Sequence, residues 1–176
     1  MGAGAVVRRR VLGVAGFKNS GKTTLVVRLV AELKRRGYRI STVKHAHHSF
    51  DIDHEGRDSY RHRAAGAGEV AVVSRFRWAL MHELDGRESD EPTLDDMLGK
   101  LEPCDLVLVE GYKRDRTHPK IEIRDVGQDA PKLVDDPMVI AVVANGAVEG
   151  AGVPVFDRDD IMGIADFVVA WAELKG

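Results

Sequence analysis

The stretch GVAGFKNSGKTTLVVRL, Gly13 to Leu29, contains Gly16–Phe17–Lys18–Asn19–Ser20–Gly21–Lys22–Thr23, a match to the pattern G-x-x-x-x-G-K-[ST]. Its setting gives the match weight. The run before it, RVLGVAG, is short, β-branched and closed by glycine, as a buried parallel strand would be. The run after it spaces Leu25, Leu29, Val30 and Leu33 as one helix face and ends in basic residues and Gly37. Strand, glycine loop and helix in that order make a phosphate-binding loop. The glycines let the backbone curl so that successive N–H groups face phosphate oxygens, and the helix start adds the positive end of its dipole. Lys22 is expected to reach the β- and γ-phosphates, and the Thr23 hydroxyl to ligate Mg2+.

Working outward, the chain keeps a strand–helix rhythm. YRISTVKH reads as a second strand, and the polar stretch behind it looks helical from about Arg57. EVAVVS and RWALMHEL read as a strand and its edge partner, and PTLDDMLGKL as a short helix. DLVLVEG and MVIAVVANG have continuous apolar centres and read as buried strands, whereas KIEIRD alternates like an edge strand. A short strand and an amphipathic helix end the chain. The expected fold is therefore α/β: a P-loop NTPase-like, mostly parallel sheet with antiparallel edge strands, flanked by helices. One nucleotide-binding domain over 1–176 is expected, with 1–9 a disordered segment or a lead-in to the first strand. The polar segments Ala46–Gly56 and Gly86–Pro92 are expected to be mobile.

A chain of 176 residues with 44% hydrophobic and 31% charged residues suits one soluble domain with a substantial core. Its net charge of −2 offers no global attraction to nucleic acid or anionic lipid. A single cysteine, Cys104, excludes an intrachain disulfide framework and fits a reducing cytoplasm; beside a buried strand it reads as a small core residue. No apolar run approaches the roughly 20 residues of a membrane span. The opening MGAGAVVRRR lacks the hydrophobic segment of a signal peptide, so a cytoplasmic location is expected.

A phosphate loop of this kind needs a carboxylate on a neighbouring strand to hold magnesium. Glu110, at the carboxyl end of DLVLVEG, is the candidate, since ligands of open α/β sheets gather outside those ends. Asp105, at the other end, reads as a structural cap. The guanine-reading N-K-x-D tetrad is absent; Asn145, which ends MVIAVVANG, stands where a base contact would come and reads equally as a turn residue before Gly146. Five of the seven histidines, His45, His47, His48, His54 and His62, fall within eighteen positions, and with them come Lys44, Asp51, Asp53, Arg57, Asp58, Arg61 and Arg63. Three readings stand for this segment: a ligand-facing switch loop in which Asp51 or Asp53 reaches magnesium or orients a water, a solvated loop, or a transition-metal site.

GFKNSGKTTL, TVKHAHHSFDIDHEGRDSYRHRAAGA and DLVLVEGYK together resemble MobB, the family of molybdopterin-guanine dinucleotide biosynthesis adaptor proteins. The long middle block is the specific part. The resemblance implies a dimeric GTP-binding protein with at most slow GTPase activity, which assists the MobA guanylyltransferase in joining GMP to molybdopterin. Carried over by position, Gly16 to Thr24 is the nucleotide loop, Glu110 the acidic strand-end residue, and Lys44, His45 and FDID…GRDS the signature segment near the nucleotide. The candidate catalytic residues are thus Lys22, Glu110 and Asp53, and the candidate magnesium ligands Thr23, Glu110 and Asp53. Gly16, Asn19, Ser20, Gly21, Lys22, Thr23, Thr24, Lys44, His45 and Asn145 are the candidate GTP contacts. No glutamine is obviously placed to orient an attacking water, which favours slow hydrolysis. Two further readings compete: a small-molecule P-loop kinase, and a metallochaperone GTPase using the histidines of the His-rich segment together with Cys104.

Overall fold

The computed structural model describes residues 10–46, 50–87, 90–112, 115–127 and 136–175. The expectation for residues 1–9 lies outside the described residues, as do His47 and His48 of the histidine-rich metal reading. The elements run β1 (Arg10–Gly16), α1 (Lys22–Arg35), β2 (Ile40–Lys44), α2 (Asp58–Ala64), β3 (Glu69–Val73), β4 (Trp78–His82), α3 (Leu94–Lys100), β5 (Leu106–Glu110), β6 (Lys120–Arg124), β7 (Val139–Ala144), β8 (Val155–Asp157) and α4 (Ile161–Trp171).

The chain divides into two compact units, one of residues 1–45 and 98–176 and the other of residues 46–97. The first is built on a six-stranded sheet in the order β2-β5-β1-β6-β7-β8, every pair parallel. Parallel strands run in one direction, so all six carboxyl ends lie along one edge. One sheet face presents Leu12, Val14, Leu106, Leu108, Ile121, Ile123, Ala141 and Val143, alternate positions as a pleat requires. Against it pack Leu25, Leu29 and Leu33 of α1 and Ile164, Ala165 and Val168 of α4. Glu32 on α1 takes hydrogen bonds from Arg35 and Arg36, which hold its carboxyl down at about 2. Arg36 in turn reaches Asp166 of α4, so the same charges tie the two helices. Asp105 accepts from the backbone and side chain of Arg39, the capping expected of it, and Cys104 is buried.

The expectation for KIEIRD is corrected. β6 lies between β1 and β7 in the sheet interior. Its polar positions are buried with partners instead of facing water: Lys120 is 2% exposed and its Nζ lies 2.9 Å from Asp136 Oδ2, while Glu122 pairs with Arg124 at 2.7 Å. Alternating charge imitates a solvated face when each charge has a buried counter-ion.

The second unit carries α2 and an antiparallel hairpin, β3 with β4, as a sheet of its own. Both hairpin faces are largely apolar, the second closed at one end by the Glu69–His82 pair. Val70 and Met81 share one; Ala71, Val73, Trp78 and Leu80 share the other, where Val73 is 75% and Trp78 67% exposed. Arg63, from α2, binds Asp51 through Nη2 at 2.8 and 3.0 Å and Glu83 at 3.1 Å. The Arg63 guanidinium thereby gathers the unit's loop, helix and strand end.

Candidate functional site

The site is assembled at the carboxyl edge of the six-stranded sheet, beginning with the loop after β1. Gly16 cannot be replaced cheaply, because a Cβ there would stand 2.7 Å from the Ile123 carbonyl oxygen and 2.7 Å from Ser20 Oγ. Asn19 and Gly21 adopt left-handed backbone with φ of 63° and 94°, a conformation that asparagine tolerates and glycine takes freely. These turns bring the loop to the start of α1, whose N-cap is Gly21 with no capping side chain and no acidic residue in the first turn. The first N–H groups of such a helix are left for an external acceptor. Lys22 Nζ donates to the Phe17 carbonyl across the loop at 2.5 Å. Ser20 is only 3% exposed, and its hydroxyl is buried without a hydrogen-bond partner. Thr24 is exposed in the first turn of α1.

Glu110 meets this loop. Thr23 Oγ1 donates to Glu110 Oε1 at 2.6 Å, and Lys44 Nζ lies 3.3 Å from the same oxygen. The register explains the meeting, since Lys44 and Val14 are the strand partners of Glu110 on its two sides. His45 follows directly, its N–H bonded to the Glu110 carbonyl at 2.9 Å and its ring 4.7 Å from that of Tyr112. Gly111 is required by this packing: its φ is 99° and a Cβ would approach His45 Cβ to 2.9 Å. Hydroxyl and carboxylate oxygens thus converge beside the loop, the donor type a hard cation beside phosphate would need, with the Lys44 ammonium now on the carboxylate oxygen.

Asn145 ends β7 on the other side of β1. Its Oδ1 accepts from the Val126 N–H at 2.6 Å, and its Nδ2 donates to Asp125. Asp53 belongs to the second unit, where its carboxylate accepts from Ser59 and the His54 N–H, both at 3.0 Å, and lies 3.5 Å from Arg63 Nε. Among the described residues no group of three or more His, Cys, Asp or Glu side chains is arranged to hold a metal ion. Two residues that the sequence pattern did not single out stand at the same edge. Arg158 follows β8, and Asp125 follows β6; only the strand order, which brings β8 next to β7, makes the short run VFDRDD notable.

A parallel sheet with strand one at its centre, a glycine loop opening α1 and an acidic residue ending the adjacent strand define the P-loop NTPase-like fold. Comparison with known proteins narrows this. The model of the family described as MobB, molybdopterin guanine dinucleotide synthesis protein B, matches residues 11–145. The chain is 39% identical over 166 residues to the molybdopterin-guanine dinucleotide biosynthesis adapter protein of Escherichia coli (strain K12), covering 93% of each chain. To the probable adapter protein of Bacillus subtilis (strain 168) it is 33% identical, covering 94% of each. The crystal structure of Bacillus subtilis MobB superimposes with a TM-score of 0.70 at 30% identity, covering 95% of this chain and 99% of that one. The chain belongs to the MobB family, adapter proteins of molybdopterin guanine dinucleotide biosynthesis. Among the described residues no helix is long and apolar enough to cross a membrane.

Proposed function

We propose that the protein binds magnesium-GTP on the Gly16–Thr24 loop and serves, as a cytoplasmic homodimer, to assist a MobA-type guanylyltransferase acting on molybdopterin. The observation that carries this reading is the 2.6 Å bond from Thr23 to Glu110 beside a helix start without a cap. In the nucleotide-bound protein, the backbone N–H groups from Asn19 to Thr24 and the Ser20 hydroxyl hold phosphate oxygens. Ser20 fits that part, because its buried hydroxyl otherwise has no partner and such a group costs free energy. Lys22 supplies a cation, Thr23 and Glu110 hold magnesium directly or through water, and Lys44 and His45 line the metal side. Magnesium bound there would neutralise charge on the phosphates. With few groups placed to activate water, hydrolysis is slow and GTP is held for a partner's use. Titration calorimetry with GTP and ATP, each with magnesium, tests the reading: GTP is expected to bind about tenfold or more tightly, an energy difference of about 1.4 kcal/mol. Equal affinities would remove the guanine assignment.

The homodimer is supported by the hairpin of the second unit. Val73, Trp78 and Leu80 form an exposed apolar face on one side of two strands whose other side is also apolar, and a two-stranded ribbon gains stability by burying such a face. A second copy of the chain is the occupant proposed. Sedimentation velocity is expected to give twice the 19.3 kDa monomer mass for wild type and the monomer mass for Trp78→Glu. A wild-type monomer at micromolar concentration would sink this part.

A further inference from the structure

We infer that Arg158 reads the base of the nucleotide and is the source of its selectivity for guanine. The inference rests on the proposed nucleotide binding and adds the residue that chooses the nucleoside. Glu110 and Lys44 stand on β5 and β2, to one side of β1, whereas β6, β7 and β8 lie on the other. A nucleotide with its metal on the Glu110 side has its nucleoside end to place, and the β6–β8 side of the loop is where we place it. There Arg158 flanks the loop itself. Its Nη1 lies 3.9 Å from the point where a Cβ on Gly21 would stand, so the guanidinium faces the loop at the residue that opens α1.

The guanidinium is held by its surroundings. The Arg158 N–H donates to the Ala144 carbonyl at 2.9 Å, and its own carbonyl accepts from Arg28 Nη1 at 2.9 Å. Arg28, on α1, also binds the carbonyl and carboxylate of Asp159, which locks the segment to the helix that carries the loop. Arg158 Nη2 donates to the Arg124 carbonyl at 3.1 Å and lies 3.9 Å from Asp125 Oδ1. Among the described residues Nη1 makes no hydrogen bond, and Nε is buried without a partner. Nη2 is thus held, while Nη1, the nitrogen toward the loop, keeps its donors. Asn145 enters through Asp125, to which it donates; it is a positioning residue for the cluster.

The chemistry selects guanine. A guanidinium donates only and stays charged throughout the physiological range. Guanine presents two acceptors, O6 and N7, on one edge, where adenine presents an amino donor beside N7. A donor-only group at that edge binds the first and meets a donor in the second. Arg158 lies beyond residues 11–145, which the family model matches, so the family match does not itself supply this assignment.

Titrations of GTP, ITP and ATP with magnesium into wild type, Arg158→Met and Arg158→Lys test it. ITP keeps O6 and N7 and lacks the 2-amino group. Wild type is expected to bind GTP and ITP alike and ATP more weakly. Arg158→Met should weaken GTP and ITP by about 10-fold and leave ATP unchanged, the size of one base-reading contact. Arg158→Lys should fall between, since it keeps one cationic donor. All three nucleotides are titrated into each preparation, so a fraction of unfolded protein lowers the site count and leaves the affinity ratio intact. An unchanged GTP-to-ATP ratio in Arg158→Met overturns the inference. So does an equal loss for all three, which marks a phosphate contact. If wild type binds no nucleotide, the proposed function falls as well; if it binds GTP in a Lys22-dependent way with the ratio unmoved by Arg158→Met, the inference alone falls.

Discussion

Lys22→Ala is expected to weaken GTP binding by about 30-fold or more and to leave the midpoint of chemical unfolding close to that of wild type. The functional half follows from charge. Truncating one member of a hydrogen-bonded charge pair at an interface costs about 2–5 kcal/mol, and a lysine on a triphosphate is such a pair. The structural half follows from what holds the loop. Its path is set by the backbone of Gly16, Asn19 and Gly21 and by the close approach of Gly16 to Ile123, none of which involves the ammonium. The bond from Nζ to the Phe17 carbonyl is part-exposed, and a bond of that kind contributes about 1 kcal/mol. Calorimetry and urea unfolding on the same preparation separate the two. Undiminished GTP affinity in the variant would show that the loop is not the nucleotide site.

The largest effect on stability is expected at Lys120, far from the chemistry. Lys120→Ala should cost about 3–5 kcal/mol, because removing one partner of a buried ion pair leaves the other charge without compensation. The pair is deep: the two side chains are 3% and 12% exposed. The lysine also donates to the Asp115 carbonyl, and Gly13 packs so closely that a Cβ there would stand 2.9 Å from Lys120 Cβ. Burial pushes the Asp136 carboxyl up, but hydrogen bonds from Lys120 and the Met138 N–H outweigh it and hold the group below its ordinary value. A depressed carboxylate contributes stability that is present above its unfolded value, near pH 4, and is lost as pH falls through the folded one. The deficit of Lys120→Ala should therefore be full at pH 7 and shrink in acid. A loss below about 1 kcal/mol at pH 7 would place the pair among weak surface bridges.

These two sites show what could be read from residues alone. The phosphate loop was legible because its pattern is local: strand, glycines, lysine and helix are contiguous, and backbone geometry follows from them. Glu110 was legible because a lone acid closing an apolar strand stands at the carboxyl edge, where ligands of such sheets gather. β6 was misread for a physical reason. Lys120 and Glu122 carry charge at alternate positions, and their counter-ions, Asp136 and Arg124, become visible as partners only in the folded chain. The convergence of Lys44 on Glu110 depends on two strands standing side by side in register. Arg158 lay hidden for the same reason, because its place beside Gly21 depends on β8 joining the far end of the sheet. Signals that join distant segments need the strand order first.

That order also has a temporal meaning. β1 pairs with β5 and β6, and β2 pairs only with β5, so the two earliest strands share no hydrogen bonds with each other. During synthesis the glycine loop is made before residues 106–110, and until those are made its strand has no neighbour. The second unit, residues 46–97, is complete before then. Synthesis thus delivers the nucleotide loop well ahead of the strand that gives it a sheet to stand on.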